Sequence, residues 1–337
     1  MKKTLVALSV LAASAAAPFA NAAIELYNQD GVTVNLKGDI EVVYRNDLKV
    51  DGKGSSQMQQ RIEDADFGFD IRYMVNDDWT VGAYWEFNGS ESTNSEITRN
   101  GDTYVAAYHK TFGSIKFGRT CTAADDLGIG SDEAFGISTL LDAATDECSD
   151  EAVRYDFDNG TFYATLGFVQ NKLTQGLVLD GTSIKSESKK SGTQDTYYDA
   201  RFGYRVADFD LSAFASQYNA DDSTTKKDDT AYALEVVYGG IENVGLSVAY
   251  YAVNADADQS DNSILSFAAD YTMGKVGFAA GYSLADHDDK AKEVDRWFVN
   301  TTYAVAPNTK LYAEVGGFDQ KDVDDNTGLA IGVEASF

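Results

Sequence analysis

Gly328-Leu329-Ala330-Ile331-Gly332-Val333-Glu334-Ala335-Ser336-Phe337 alternates with a period of two. Leu329, Ile331, Val333, Ala335 and Phe337 take one face of an extended strand. Gly328, Ala330, Gly332, Glu334 and Ser336 take the other. The stretch stops on an aromatic. Strand ends ordinarily fray, so an apolar last residue must be held by something. A transmembrane β-barrel supplies that hold, because its last strand closes the sheet against the first and turns its apolar face to lipid.

The other end of the chain agrees. Lys2 and Lys3 precede an apolar stretch from Thr4 to Ala17, and Ala20-Asn21-Ala22 places small residues at both cleavage positions. This reads as a secretory signal peptide over residues 1–22, cut before Ala23, with the barrel in 23–337. The apolar run is short and Ala/Ser-rich for a helix anchor, which needs ~20 residues. No later stretch is long enough for a membrane helix. Hydropathy is silent on a barrel, whose strands spend only alternate residues on lipid.

The formal charge is −27, and −29 once the signal lysines leave. That argues against nucleic-acid binding, which needs a basic surface. It suits a protein that attracts cations, or simply long solvated loops. Two prolines in 337 residues fit a chain that is mostly hydrogen-bonded strand.

Connections between strand-like segments fall into two alternating length classes. The short ones lie near Asn76–Asp78, Phe112–Gly113, Asp158–Gly160, Ala207–Asp208, Gly239–Asn243, Met273–Lys275 and Val305–Asn308. The long ones lie near Asp47–Gln57, Gly89–Asn100, Thr120–Asp150, Asn171–Gln194, Asn219–Asp229, Asn254–Asp261, Asp286–Glu293 and Asp319–Asp325. Seven short and eight long connections separate sixteen strands. Sorted connections mark an outer-membrane barrel, with short turns periplasmic and long loops external. The segments are two-faced: Tyr198, Ala200, Phe202, Tyr204 and Val206 alternate with Asp199, Arg201, Gly203 and Arg205. Charged residues on one face of a membrane strand must point into water, so the interior is wet. Sixteen strands leave an aqueous channel. The fold class is therefore all-β, a transmembrane 16-stranded antiparallel β-barrel.

At this point the residues carry a family. Val32-Thr-Val-Asn-Leu-Lys-Gly-Asp39 is similar to the first strand of the Gram-negative general diffusion porins, in particular those of Vibrio and its marine relatives. WTVGAYWEFN (79–88) resembles their third strand. Phe112-Gly-Ser-Ile-Lys-Phe-Gly-Arg119 is similar to the fifth, Ala134-Phe135-Gly136 to part of the constriction-loop turn, and Val153-Arg154-Tyr155-Asp156 to the sixth. The terminal Phe337 resembles the signal read by the barrel-assembly machinery. The resemblance implies a homotrimer in outer-membrane lipid and lipopolysaccharide, and an inward-folded third external loop. It implies no cofactor and no catalytic residues.

By the same resemblance, Thr120–Asp150 is the constriction loop. It carries Asp125, Asp126, Asp132, Glu133, Asp142, Asp146, Glu147 and Asp150, and no Lys or Arg. The family faces such a loop with a basic wall. Here Lys37, Arg45, Lys116 and Arg154 have inward parity, and Arg119 stands where the loop leaves the wall. Asp39 and Asp66 occupy places where relatives often carry Lys or Arg. A net-negative eyelet favours cations. Cys121 and Cys148 bracket the loop, and an oxidising compartment predicts a disulfide between them. No metal site is expected: His109 and His287 lie far from both cysteines in sequence. The acidic runs Asp256-Ala257-Asp258 and Asp322-Val323-Asp324-Asp325 lack a full calcium-loop pattern and read as solvated loops.

These features imply passive diffusion of ions and small hydrophilic solutes. The alternatives are a substrate-specific channel, for which Tyr84, Tyr163 and Tyr251 are too scattered to form a track, and a barrel with an adhesive or structural role. An outer-membrane hydrolase is disfavoured, because the chain is long, has two histidines and shows no Ser–His–acid spacing.

Overall fold

Glycine and a positive φ make the first turn of the chain. Asp30 and Gly31 both adopt left-handed backbone (φ 53° and 76°). They reverse β1 (Ile24–Gln29) into β2 (Val32–Arg45). The computed structural model describes residues 23–48, 57–89, 99–141, 148–172, 175–179, 183–188, 195–222, 225–255, 261–290, 292–321, 323 and 326–337. The expected signal peptide, the acidic runs near 256–258 and 322–325 (Val323 apart), and Asp142, Asp146 and Glu147 lie outside these residues.

The wall continues through β3 (Gln59–Met74), β4 (Trp79–Asn88), β5 (Arg99–His109), β6 (Gly113–Cys121), β7 (Cys148–Asp158) and β8 (Phe162–Val169). A separate hairpin follows, β9 (Gln175–Leu179) with β10 (Ile184–Ser188). The wall resumes with β11 (Thr196–Val206), β12 (Phe209–Asp222), β13 (Thr225–Ile241), β14 (Val244–Asn254) and β15 (Asn262–Met273). It ends with β16 (Val276–His287), β17 (Val294–Ala306), β18 (Thr309–Gln320) and β19 (Asn326–Ser336). β2–β8 and β11–β19 close into a ring of sixteen antiparallel strands, because β11 pairs with β8 and β19 pairs with β2. Closure removes the unpaired strand edges that hydrocarbon cannot satisfy.

The seam is shared. β19 covers the Asp39–Arg45 half of β2, and β1 covers the Val32–Leu36 half. Between them the Phe337 amide donates to the Gly38 carbonyl, and the Gly38 amide donates to the Phe337 carbonyl, both at 2.8 Å. A Cβ at Gly38 would sit 2.2 Å from the Asp66 carbonyl oxygen, so this close approach requires glycine.

Alternation is clear in the second half of the wall. In β16, Phe278, Tyr282 and Leu284 are exposed while Ser283 and Ala285 are buried. Phe202, Leu234, Phe267, Val299 and Ile331 project from the same outer face of their strands. A belt of large apolar side chains left open this way is stable against lipid rather than water. Each short turn expected from sequence is present. One long connection differs: β12 and β13 run on to Asp222 and from Thr225, through the stretch expected to be loop at 219–229. β1 and the β9–β10 hairpin were not expected.

Candidate pore lining and the segment 122–141

Cys121 ends β6, Cys148 begins β7, and the two form a disulfide. The segment between them is fixed by wall residues far away in sequence. Ala123–Asp126 forms a 3-10 turn whose Ala123 and Ala124 amides donate to the buried Asp199 carboxylate (3.2 and 2.9 Å). The Gly128 amide donates to Glu235 at 2.7 Å. Those of Glu133, Ala134 and Phe135 donate to Glu314 at 2.6, 3.2 and 2.6 Å. The Asn300 amide group donates to the Ser131 carbonyl, and the Ser266 hydroxyl donates to that of Ser138. A loop leaving a ladder has backbone amides to satisfy, and strands on β11, β13 and β18 supply carboxylates for them. Asp199, Glu235 and Glu314 all belong to the face opposite the apolar belt.

Apolar contacts complete the hold. Ala123, Ala124, Leu127, Ile129 and Leu140 join Leu177, Val178, Leu179 and Ile184 of the hairpin in one buried cluster with Tyr197, Phe214, Tyr251 and Ile264 of the wall. The Ile184 amide donates to the Leu140 carbonyl at 2.7 Å. Phe135 lies over Gly316 and Gly328, where an added Cβ would meet its ring or Cβ at 2.5 and 2.3 Å. The Arg45 guanidinium covers the ring at 4.8 Å.

The acidic residues singled out from sequence do different things. Asp126 takes two 2.9 Å hydrogen bonds from Arg154. Glu133 pairs with Lys310 at 2.8 Å. Asp125 and Asp132 are exposed. Withdrawal from water outweighs Lys310 and pushes the Glu133 carboxyl up to about 7. Asp132 is also raised, first by enclosure and then by the Glu314 carboxylate, although its contact with water tempers the effect.

Every cation expected from sequence on the wall has a carboxylate. Lys37 pairs with Asp70 (3.1 Å), Arg45 with Glu63 (2.7 Å), Lys116 with Asp156 (3.2 Å) and Arg119 with Asp150 (3.1 Å). Arg154 also reaches Asp156 at 2.8 Å and the Thr122 carbonyl at 2.7 Å. Asp39 and Asp66 sit directly opposite each other in the β2–β3 register. Both contact Asp64, with Glu86 nearby, and neither makes an ion pair with Lys or Arg among the described residues. Asp102 lies beside the two sulfurs. Bridged sulfurs offer no thiolate, so that trio is a poor metal site.

Sequence reasoning missed the loop anchors Asp199, Glu235 and Glu314. It named Tyr84 but missed the tyrosines grouped near it: Tyr84 lies 5.7 Å from Tyr104, Lys116 covers Tyr104, and Arg72 covers Tyr108. Tyr251, the third scattered tyrosine, is buried and donates to Glu235. Single acidic residues at inward parity, such as Glu314 between Ala313 and Val315, are the signal that could have found the anchors.

The family model of the Gram-negative porins matches residues 7–323. Among curated proteins, the chain is 30% identical to the porin-like protein H of Photobacterium profundum over the full length of both. Among solved structures it is similar to the trimer form of OmpT, an outer membrane protein of Vibrio cholerae (TM-score 0.66, 19% identity, 91% of this chain and 100% of that one). It is also similar in fold to an anion-selective porin from Comamonas acidovorans (TM-score 0.72, 15% identity, 91% and 100%).

Proposed function

The chain belongs to the Gram-negative porin family of the outer membrane, and from that premise we propose that its channel prefers cations and passes ions and small hydrophilic solutes by diffusion. The observation that carries this reading is the charge pairing of the wall. Lys37, Arg45, Lys116, Arg119 and Arg154 each have a carboxylate partner, whereas Asp39, Asp64, Asp66 and Glu86 stand together with no ion pair to Lys or Arg among the described residues. The net field in the passage is then negative, and a cation lowers its energy there.

In this reading segment 122–141 folds into the barrel and forms one side of the narrowing, opposite Asp39 and Asp66. Its bonds to Asp199, Glu235 and Glu314, on the face away from the apolar belt, support that placement. Residues 1–22 are a cleaved signal, and 23–337 are the barrel. The chain assembles as a homotrimer, as the trimer form of the Vibrio cholerae protein suggests, in contact with lipid and lipopolysaccharide. The barrel-assembly machinery reads Phe337.

Reconstitution in a planar bilayer under a potassium chloride gradient tests the reading. The reversal potential should carry the sign of a potassium-preferring channel. A chloride preference would overturn the charge argument while leaving the barrel intact.

A further inference from the structure

The Cys121–Cys148 bridge has a charged neighbour. One carboxylate oxygen of Asp102, on β5, and the two sulfurs all lie within 4.8 Å of one another. All three residues are half-buried, so a small solute in water can reach the bridge. Asp102 shares the parity of Tyr104 and is opposite to Val105 of the exposed apolar belt. It therefore belongs to the wet face of the wall, and the bridge lies against it there.

The charge around the bridge is negative. The Asp102 side chain makes no ion pair among the described residues. Its backbone amide donates to Glu86 at 2.8 Å, which brings a second carboxylate close. The charged groups that act on Asp102 are Glu86, Lys116, Asp125 and Arg119. Both cations are paired elsewhere, Lys116 with Asp156 at 3.2 Å and Arg119 with Asp150 at 3.1 Å. With those partners counted, the surplus around Asp102 is negative.

Disulfides are opened by thiolates rather than by neutral thiols. A thiolate attacks one sulfur, the S–S bond breaks, and the other cysteine leaves as a thiolate. A second thiolate then attacks the reagent sulfur of the mixed disulfide, and the first cysteine leaves as well. Two reagent thiolates end as one disulfide, and the bridge has taken up two electrons. Every stage places negative charge on sulfur beside Asp102. A fixed carboxylate there raises the energy of the approach and of both cysteine thiolates.

We propose that Asp102 shields the disulfide: its carboxylate repels thiolates and keeps the base of segment 122–141 stapled against thiols dissolved in the water of the barrel. That these thiols are small hydrophilic solutes in passage rests on the channel reading above. The shield itself does not.

Reduction kinetics of the intact protein in a neutral detergent test the proposal without any current. Two thiols are compared at equal thiolate concentration. One is 2-mercaptoethanesulfonate, whose thiolate form carries two negative charges. The other is cysteamine, whose thiolate form is neutral overall. Opened bridges are trapped with a maleimide and counted by mass. Bis(2-hydroxyethyl) disulfide, which is uncharged, gives the intrinsic rate ratio of the two reagents. At low salt the protein should disfavour the sulfonate beyond that ratio, and the bias should shrink at 1 M, where the screening length is about 3 Å. Asp102→Asn should speed the sulfonate by about fivefold or more, the factor that one unit charge exerts on another at such a range even in water. It should speed cysteamine by less. Asp78→Asn removes the same charge from the short turn between β3 and β4 and should change neither rate. If Asp102→Asn fails to fold, the wild-type bias and its salt dependence decide. A bias no larger than that of the uncharged disulfide overturns the shield. Equal acceleration of both reagents by Asp102→Asn also overturns it, because the residue would then only pack the wall. A matching effect of Asp78→Asn overturns it too, by assigning the bias to the charge of the whole molecule. A barrel that passes no current while the bias persists overturns the channel reading and leaves the shield standing.

Discussion

Glu314 is almost wholly buried on the polar face of β18, yet three successive backbone amides, at 133, 134 and 135, converge on its carboxylate. A carboxylate accepting several amides is stabilised by each of them, and each amide would be costly to leave unpaired. Replacing it with alanine should cost about 3 kcal/mol or more for the three amides left without an acceptor. The expected result of Glu314→Ala is a wall that still forms and a segment that comes loose. Cleavage after Phe135 by an aromatic-specific protease reports this, with the wild type resistant and the variant cut. The neighbouring Glu133 gives a second test. Its carboxyl is lifted to about 7 by burial despite the Lys310 partner. A carboxylate with a raised pKa takes its proton as pH falls through that value, well above the ordinary range for Glu. Its contribution to stability is therefore present at low pH and is lost as pH rises through about 7. In the proposed reading cation preference moves the other way, because protonation removes a negative charge from the passage. Between pH 8 and pH 6 the reversal potential should move toward zero, and Glu133→Gln should flatten that change. Asp132→Asn should reduce the preference at all pH values above its own titration.

At the scale of elements, the disulfide closes the loop where β6 and β7 part. Cys121 and Cys148 are cross-strand partners in that ladder, 27 residues apart in sequence. In the chain-entropy account a crosslink over that separation is worth about 3.5 kcal/mol. Cys121→Ser with Cys148→Ser should lower the thermal midpoint of unfolding. It should also increase current noise in recordings, because the base of the segment is then held by hydrogen bonds alone. Unchanged noise would mean that Asp199, Glu235 and Glu314 suffice. The disulfide, the sixteen strands and the short turns were legible because each has a local cause: a pair of cysteines around one loop, a period of two, and turn residues such as Ala207-Asp208. The β9–β10 hairpin was not legible. Leu177, Val178 and Leu179 are consecutive and all buried, so no alternation marks them as strand. β12 and β13 extend past their expected ends through Asn219–Asp222 and Thr225–Asp229. Hydropathy is uninformative for stretches this polar, which read as loop. The apolar inner face of β11–β15 was hidden for a related reason. In Ala231-Tyr232-Ala233-Leu234 both faces are apolar, and only the partner segments 123–141 and 177–184 decide which face is packed by protein. The acids of β2 and β3 could be assigned a side by parity. Whether each cation there had a partner depended on register across strands, which one sequence does not contain.

The whole molecule carries an excess of carboxylates, but selectivity depends on where the excess remains unpaired. Lys37, Arg45, Lys116, Arg119 and Arg154 each have a carboxylate partner, some of them shared: Lys37 and Arg72 both pair with Asp70, and Lys116 and Arg154 both pair with Asp156. The surplus collects where Asp39 and Asp66 face each other across β2 and β3, joined by Asp64 and Glu86. A permeating ion feels this surplus through water, so the range of the interaction is the screening length. That length is about 8 Å at physiological ionic strength and about 3 Å at 1 M. In the proposed reading, the carboxylates act across the passage at low salt and concentrate potassium over chloride. At 1 M their field reaches little beyond the wall, and the centre of the passage becomes nearly indifferent to sign. The permeability ratio of potassium to chloride should therefore fall steadily as salt rises at a fixed gradient ratio. Asp39→Asn with Asp66→Asn removes two of the unpaired charges while keeping shape and hydrogen-bonding capacity. The double variant should start from a lower ratio and show a shallower salt dependence, with both curves meeting near 1 M. A ratio that stays constant from low salt to 1 M would place selectivity in contact-range coordination by the wall rather than in the field of the cluster. A double variant indistinguishable from the wild type would move the responsible charge away from Asp39 and Asp66.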